Sequence, residues 1–173
     1  MRDIAKGIGR RIVTGHDPQG KSVILSDGVP PQNNPMTGNG ADFIEIWSSA
    51  ETVPTLTPVP KSEPALRDFT MMPATGHLIR IIDVYPASEG GSATPMHRTE
   101  TLDYAVVIEG EITLILDDSE AVLGPGSVIV QNGTDHAWEN RTSKRTRMAF
   151  FHIAATFSPA LRASLPDQLE IMR

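Results

Sequence analysis

Apolar and polar residues alternate in short runs along most of this chain. Residues 77–85 (HLIRIIDVY) put Leu78, Ile82 and Val84 on one parity with Arg80, and Ile79, Ile81 and Asp83 on the other. Successive side chains of a strand point to opposite faces, so this pattern predicts a strand. Residues 41–48 (ADFIEIWS) alternate in the same way, with Phe43, Glu45 and Trp47 on one face and Ile44 and Ile46 on the other. Four shorter pieces follow: 104–109 and 111–116 flank Gly110, 121–123 follows Asp117-Asp118-Ser119, and 127–131 follows Gly124-Pro125-Gly126. Such turn residues join neighbouring strands. Residues 136–140 and 147–154 complete the series.

The ends read differently. Residues 11–14 and 22–25 favour strand on either side of HDPQGK, where Pro18 presets φ and Gly20 accepts a positive φ, so a hairpin is expected. Residues 27–40 (DGVPPQNNPMTGNG) carry breakers throughout and predict a loop, and 52–64 is proline-rich and extended. In the tail, Ser158 is a candidate N-cap, Pro159 a first helical residue, and Pro166 a stop. Many short strands with little helix indicate an all-β sandwich or barrel. The expected organisation is an N-terminal hairpin and loop extension at 1–40, a barrel at 41–157 and a helical tail at 158–173.

Composition narrows the chemistry. A formal charge of −6 over 173 residues, with no basic stripe, argues against nucleic acid as a partner. There is no cysteine, so disulfides and thiolate ligands are excluded, and a transition-metal site would rest on His, Asp and Glu. The basic start, MRDIAKGIGRRIVTG, lacks the apolar region of a signal peptide, and no run is long enough to span a bilayer. A soluble cytoplasmic protein with no membrane partner is expected. Asp117, Asp118 and Glu120 lack EF-hand spacing and read as a solvated hairpin tip.

The chemistry-bearing residues gather between 95 and 140. In an extended chain His97, Thr99, Thr101, Asp103, Ala105 and Val107 point one way, while Arg98, Glu100, Leu102 and Tyr104 point the other. His136, Trp138 and Asn140 share a face in the second segment. Further on, RTRMAFFHIA sets Met148, Phe150 and His152 opposite Arg145 and Arg147. If the arginines face water, His152 faces inward, either as a buried structural histidine or as a contact to ligand or substrate. Trp138 either stacks on a substrate ring or packs in the core.

These two segments resemble the paired motifs of the cupin superfamily. The first motif is a glycine, HxH, a carboxylate a few residues later and then a glycine; His97-Arg98-Thr99, Asp103 and Gly110 lie on it. The second is G-x5-PxG-x2-H-x3-N; Gly126 and His136 through Asn140 lie on it. The resemblance implies a single-domain, cupin-type double-stranded β-helix, the jelly-roll barrel. It also implies a homodimer through the N-terminal strands. Members with a full site hold one divalent metal with three histidines and a glutamate. Here Thr99 stands where the second histidine belongs, Asp103 replaces the glutamate, and the motif-two proline is Asn132.

What the resemblance leaves is His97, His136 and Asp103, the composition of a two-histidine, one-carboxylate site for Fe, Mn, Zn or Ni. The same residues could instead do acid–base catalysis, with one histidine moving a proton and Asp103 orienting it. Thr99, Trp138, Asn140 and His152 are the expected cavity residues. The variants HRT-x3-DY and GT-x-HAW-x-N are similar to a group of stand-alone cupins, some associated with secondary or aromatic metabolism. The implied activity is that of a small-molecule enzyme: a decarboxylase, dehydratase, cyclase, isomerase or dioxygenase on a carbonyl or carboxylate substrate. A non-catalytic binding or sensing module is the alternative.

Overall fold

A computed structural model describes residues 9–36, 38, 40–60, 67–166 and 171–172. Its elements in chain order are β1 (Arg11–His16), β2 (Ser22–Gly28), β3 (Gln32–Met36), β4 (Ala41–Ser49), β5 (His77–Val84), a 3-10 turn (Ala87–Glu89), β6 (Arg98–Thr99) and β7 (Thr101–Glu109). Then come β8 (Ile112–Ile115), β9 (Glu120–Leu123), β10 (Val128–Asn132), β11 (Ala137–Glu139), β12 (Thr146–Ala154), α1 (Pro159–Ser164) and β13 (Ile171–Met172).

Six strands pair in the order β10-β7-β12-β5-β4-β3, and three more in the order β11-β8-β9. The fold is all-β, the double-stranded β-helix expected from the motifs. Its core lies between the two sheets, where Val107, Met148 and Phe150 meet Ile112, Leu114 and Trp138. Full burial of an aliphatic or aromatic side chain contributes about 1.5–3 kcal/mol, so this interface is the main source of stability. Gly110 makes the turn between β7 and β8 at φ 77, and a Cβ there would lie 2.7 Å from the Arg145 carbonyl oxygen.

Register sorts the inner face of the large sheet into cross-strand rows. One row is Leu78, His152, Asp103 and Gln131; the next is Glu45, Arg80, Phe150, Ala105 and Ile129; a third is Phe43, Ile82, Met148 and Val107. The alternation of 77–85 and 147–154 therefore appears as expected. In β4 it breaks, because a bulge between Glu45 and Trp47 shifts the register. Glu45 is buried at the Arg80 row, while Trp47 sits opposite Ile79 on the outer face beneath the Arg11 guanidinium, 6.0 Å away.

At the N-terminus β1 and β2 form the expected hairpin, with Asp17 Oδ1 accepting from the backbone N–H of Gln19 and Lys21 at 2.9 Å each. The expected loop at 27–40 needs correction: its middle is β3, which pairs with β4 from Gln32↔Glu45 to Met36↔Ala41. Edge pairing supplies the hydrogen bonds that local periodicity does not advertise, and Pro35 is tolerated because β3 is an edge strand. The boundary drawn at residue 40 thus falls within a hairpin. Ser158 caps α1 by accepting from Leu161 N–H at 3.2 Å. Among the described residues no helix is long and apolar enough to cross a membrane.

Candidate functional site

His97 and His136 are placed by backbone. Residues 94–97 run alongside 136–138: His97 N–H donates to His136 O at 3.0 Å, His136 N–H to His97 O at 2.9 Å, and Thr94 N–H to Trp138 O at 2.9 Å. The paired backbones set the two imidazoles 4.2 Å apart, centroid to centroid. Behind them Arg98 and Asp135, each next in sequence to a histidine, form a buried bidentate ion pair; Nη2 donates to Oδ2 at 2.6 Å, and Nε donates to Oδ1. This clamp ties the two histidine-bearing segments together from the side away from the rings.

Each histidine is also fixed in rotation. His97 Nδ1 lies 2.8 Å from Pro95 O and His136 Nδ1 lies 2.9 Å from Thr134 O. A carbonyl oxygen only accepts, so Nδ1 carries the hydrogen and Nε2 of the neutral ring keeps its lone pair. Burial, reinforced by the neighbouring His97, pushes His136 down to about 4. His136 is thus a neutral imidazole at ordinary pH.

Across the sheet, His152 on β12 stands directly opposite Asp103 on β7. Its Nδ1 donates to Asp103 Oδ1 at 2.9 Å, both side chains are buried, and Nε2 has no hydrogen-bond partner among the described residues. The ring stacks on Phe150 at 5.5 Å and 9°. A buried polar atom without a partner costs free energy, about 1–3 kcal/mol, which a purely structural histidine would avoid by turning or being replaced.

These four residues line one cavity of about 100 Å³. Phe43, Met71, Met72, Trp138, Met148 and Phe150 supply much of its apolar wall. Met71 and Met72 belong to a strap held by Arg80, whose Nη1 donates to Met71 O at 2.7 Å and Nη2 to Thr70 O at 2.9 Å. Arg80 is fully buried, 5.3 Å from the rings of both Phe43 and Phe69, and its Nε lies 2.9 Å from Glu45 Oε1 as an ion pair too bent to count as a hydrogen bond. Burial pushes Arg80 down to about 10, with Glu45 opposing the shift. A larger groove of about 660 Å³ between β1, β4 and residues 49–60 holds no comparable cluster, with His77 its one histidine.

Of the residues singled out from sequence, His97, Asp103, His136, Trp138 and His152 meet in this cavity. Two expected cavity residues lie elsewhere. Thr99 is buried in β6, its hydroxyl accepting from Thr101 at 2.9 Å. Asn140 serves the loop after β11: its Nδ2 donates to Val84 O and Lys144 O at 2.9 and 2.7 Å, and its Oδ1 accepts from Thr142. Both are structural in position.

Nor does the expected metal triad assemble. Among the described residues no three His, Asp or Glu side chains converge closely enough to hold a metal ion. One oxygen of the carboxylate expected to join His97 and His136, Asp103 Oδ1, accepts from His152.

A cupin-domain family model matches residues 85–153. Phomopsin biosynthesis cluster protein C' of Diaporthe leptostromiformis is 35% identical over 155 residues, covering 84% of this chain and 78% of that protein. The chain belongs to the cupin family. A second relative, the cupin-domain-containing oxidoreductase fogC of Aspergillus ruber, is 34% identical over 150 residues, covering 81% of this cupin and 70% of its own length. The polyketide cyclase RemF of Streptomyces resistomycificus superposes with a TM-score of 0.47 at 17% identity, covering 70% of this chain and 72% of that one. Within this cupin the partner of Asp103 is His152, which lies outside both motifs. Only the parity of 147–154 signalled it. Arg80 and the Arg98–Asp135 clamp gave no motif signal, since a charged residue on an apolar parity reveals its partner only once the sheet is assembled.

Proposed function

We propose that this cupin acts on a small molecule of secondary metabolism, with His152 as the proton-transferring base and Asp103 as the group that orients it. The carrying observation is the partnerless Nε2 of His152, buried in a cavity wall while Nδ1 is held by a carboxylate. That arrangement presents a lone pair of fixed direction to an occupant and stabilises the imidazolium once a proton arrives. His97 and His136 would receive hydrogen bonds from the same occupant through their Nε2 atoms. An isomerisation in which His152 Nε2 takes a proton from one carbon and returns it to another balances with these residues alone. The biosynthetic-cluster and oxidoreductase names of the relatives support the metabolic setting.

The test compares metabolites of a producing strain carrying the wild type with strains carrying His152→Gln or Asp103→Asn. Loss of a product and accumulation of its precursor in both variants is expected. Identical profiles would sink the catalytic reading and favour the second one, binding without chemistry, which the unassembled metal triad also favours. Pairing as a homodimer is part of the proposal. Its support is the outer face of the large sheet, where exposed Val130, Tyr104 and Phe151 stand in one cross-strand row. Size-exclusion of Tyr104→Lys should give half the mass of the wild type; equal masses would remove that face from the interface.

A further inference from the structure

The tautomers of the three cavity histidines specify what they can bind. Each Nδ1 is already spent on an oxygen that accepts: Pro95 O for His97, Thr134 O for His136 and the Asp103 carboxylate for His152. In its neutral form each ring then offers Nε2 as an acceptor. Among the described residues no Lys or Arg lines the cavity. The lining's side-chain donors are uncharged, the hydroxyl of Thr94 and the indole N–H of Trp138. Thr94 Oγ1 itself accepts from the backbone N–H of Trp138 at 2.8 Å.

A carboxylate placed here would meet the Asp103 carboxyl and, among the described residues, no Lys or Arg, so its charge could be paired only by a proton taken up on an imidazole. Burying an unpaired charge is heavily unfavourable. A carbonyl alone would leave the buried Nε2 of His152 without a donor. A hydroxyl satisfies both sides, donating to an imidazole and accepting from a neutral donor. The size and apolar wall suit one ring: a dry cavity of about 150 Å³ holds benzene, and this one is of the same order at about 100 Å³.

We infer that the cavity selects an uncharged, hydroxyl-bearing molecule of single-ring size, which donates its O–H to imidazole Nε2, and that it excludes carboxylates. This narrows the carbonyl-or-carboxylate class expected from the motifs. The inference rests on the cavity being the ligand site of the proposed function; it does not depend on His152 performing catalysis.

Calorimetric titration of the full chain at pH 7 with phenol, anisole and benzoate tests it, each run repeated on protein treated with a chelator. The three probes share a ring and differ in offering a donor, no donor or a charge. Phenol should bind on the order of ten-fold tighter than anisole, the cost of leaving an acceptor unpaired, and benzoate should not bind measurably. Benzoate binding as tightly as phenol overturns the inference, as does no binding by any probe. Phenol binding that vanishes with the chelator also overturns it, because a cation would then occupy the lone pairs. If benzoate wins while His152→Gln still alters the metabolite profile, the ligand class falls and the acid–base reading stands. If phenol wins and the profile is unchanged, the ligand class stands and the catalytic reading falls.

Discussion

Two buried polar pairs occupy neighbouring rows on the inner face of the same sheet, and they are finished differently. Arg80 sits opposite Phe150 and spends its guanidinium on Glu45, Thr70 O and Met71 O, while Glu45 Oε2 also accepts from Arg67 at 2.7 Å. His152 sits opposite Leu78 and Asp103, and only one of its two nitrogens is used. The first pair closes on itself and on a strap of backbone, so its role is to hold a cavity wall in place. The second leaves an unmet lone pair inside that wall. Burial and charge look alike at the two sites; what separates them is that the Arg80 guanidinium is tied to strap backbone, whereas His152 and Asp103 line the cavity.

The largest effect should come from the closed pair. Arg80→Met strands Glu45 and two carbonyls and should lower stability by about 3–5 kcal/mol in urea unfolding; an unchanged midpoint would show that the pair holds nothing. His152→Gln should do the reverse. Its unfolding midpoint should move less than that of Arg80→Met, while turnover on the identified substrate falls by roughly 10²–10⁴-fold, the usual contribution of a general base. A loss of stability without loss of turnover would make His152 another scaffold residue.

Acid sharpens the contrast next. His136 stays neutral in the fold down to about 4, whereas the unfolded chain protonates it near 6.5. Between these values the unfolded state binds more protons, so stability falls as pH drops from 6.5 towards 4, by roughly 3 kcal/mol at the lower end. Denaturation midpoints across that window should show this slope, and His136→Gln should flatten it; equal slopes would mean that His136 is not desolvated. The smallest effect belongs to the surface. Arg141 pairs with Glu120 and Glu139 in solvent, and Arg141→Ala should leave the melting temperature unchanged within error. A clear drop would show that exposed pairs matter here as buried ones do.

Much of the barrel was legible in the residue pattern, for a local reason. Side-chain alternation is a property of each strand, so 77–85 and 147–154 announced their inner faces without knowledge of their neighbours. The edge strand β3 was not legible, because its polar residues QNNPM pair through backbone alone. Thr99 and Asn140 went astray because side-chain parity does not reveal local partners: the Thr99 hydroxyl bonds Thr101, and Asn140 holds the loop after β11. His97, His136 and Asp103 were identifiable by motif position, yet their mutual chemistry was not.

By itself the sequence determined that the protein is built of short alternating strands, lacks thiolate chemistry and carries histidines at two motif positions. These follow from residue identity and from periodicity, which act over a few neighbours. Tertiary structure decided the rest: that Asp103 accepts from His152 on the neighbouring strand, that Arg80 holds the strap over the cavity, and that Arg98 and Asp135 clamp the two histidines from behind. Each of these is a contact between strands or loops far apart in the chain. Which groups meet depends on register, and register is a property of the assembled sheet rather than of any one segment.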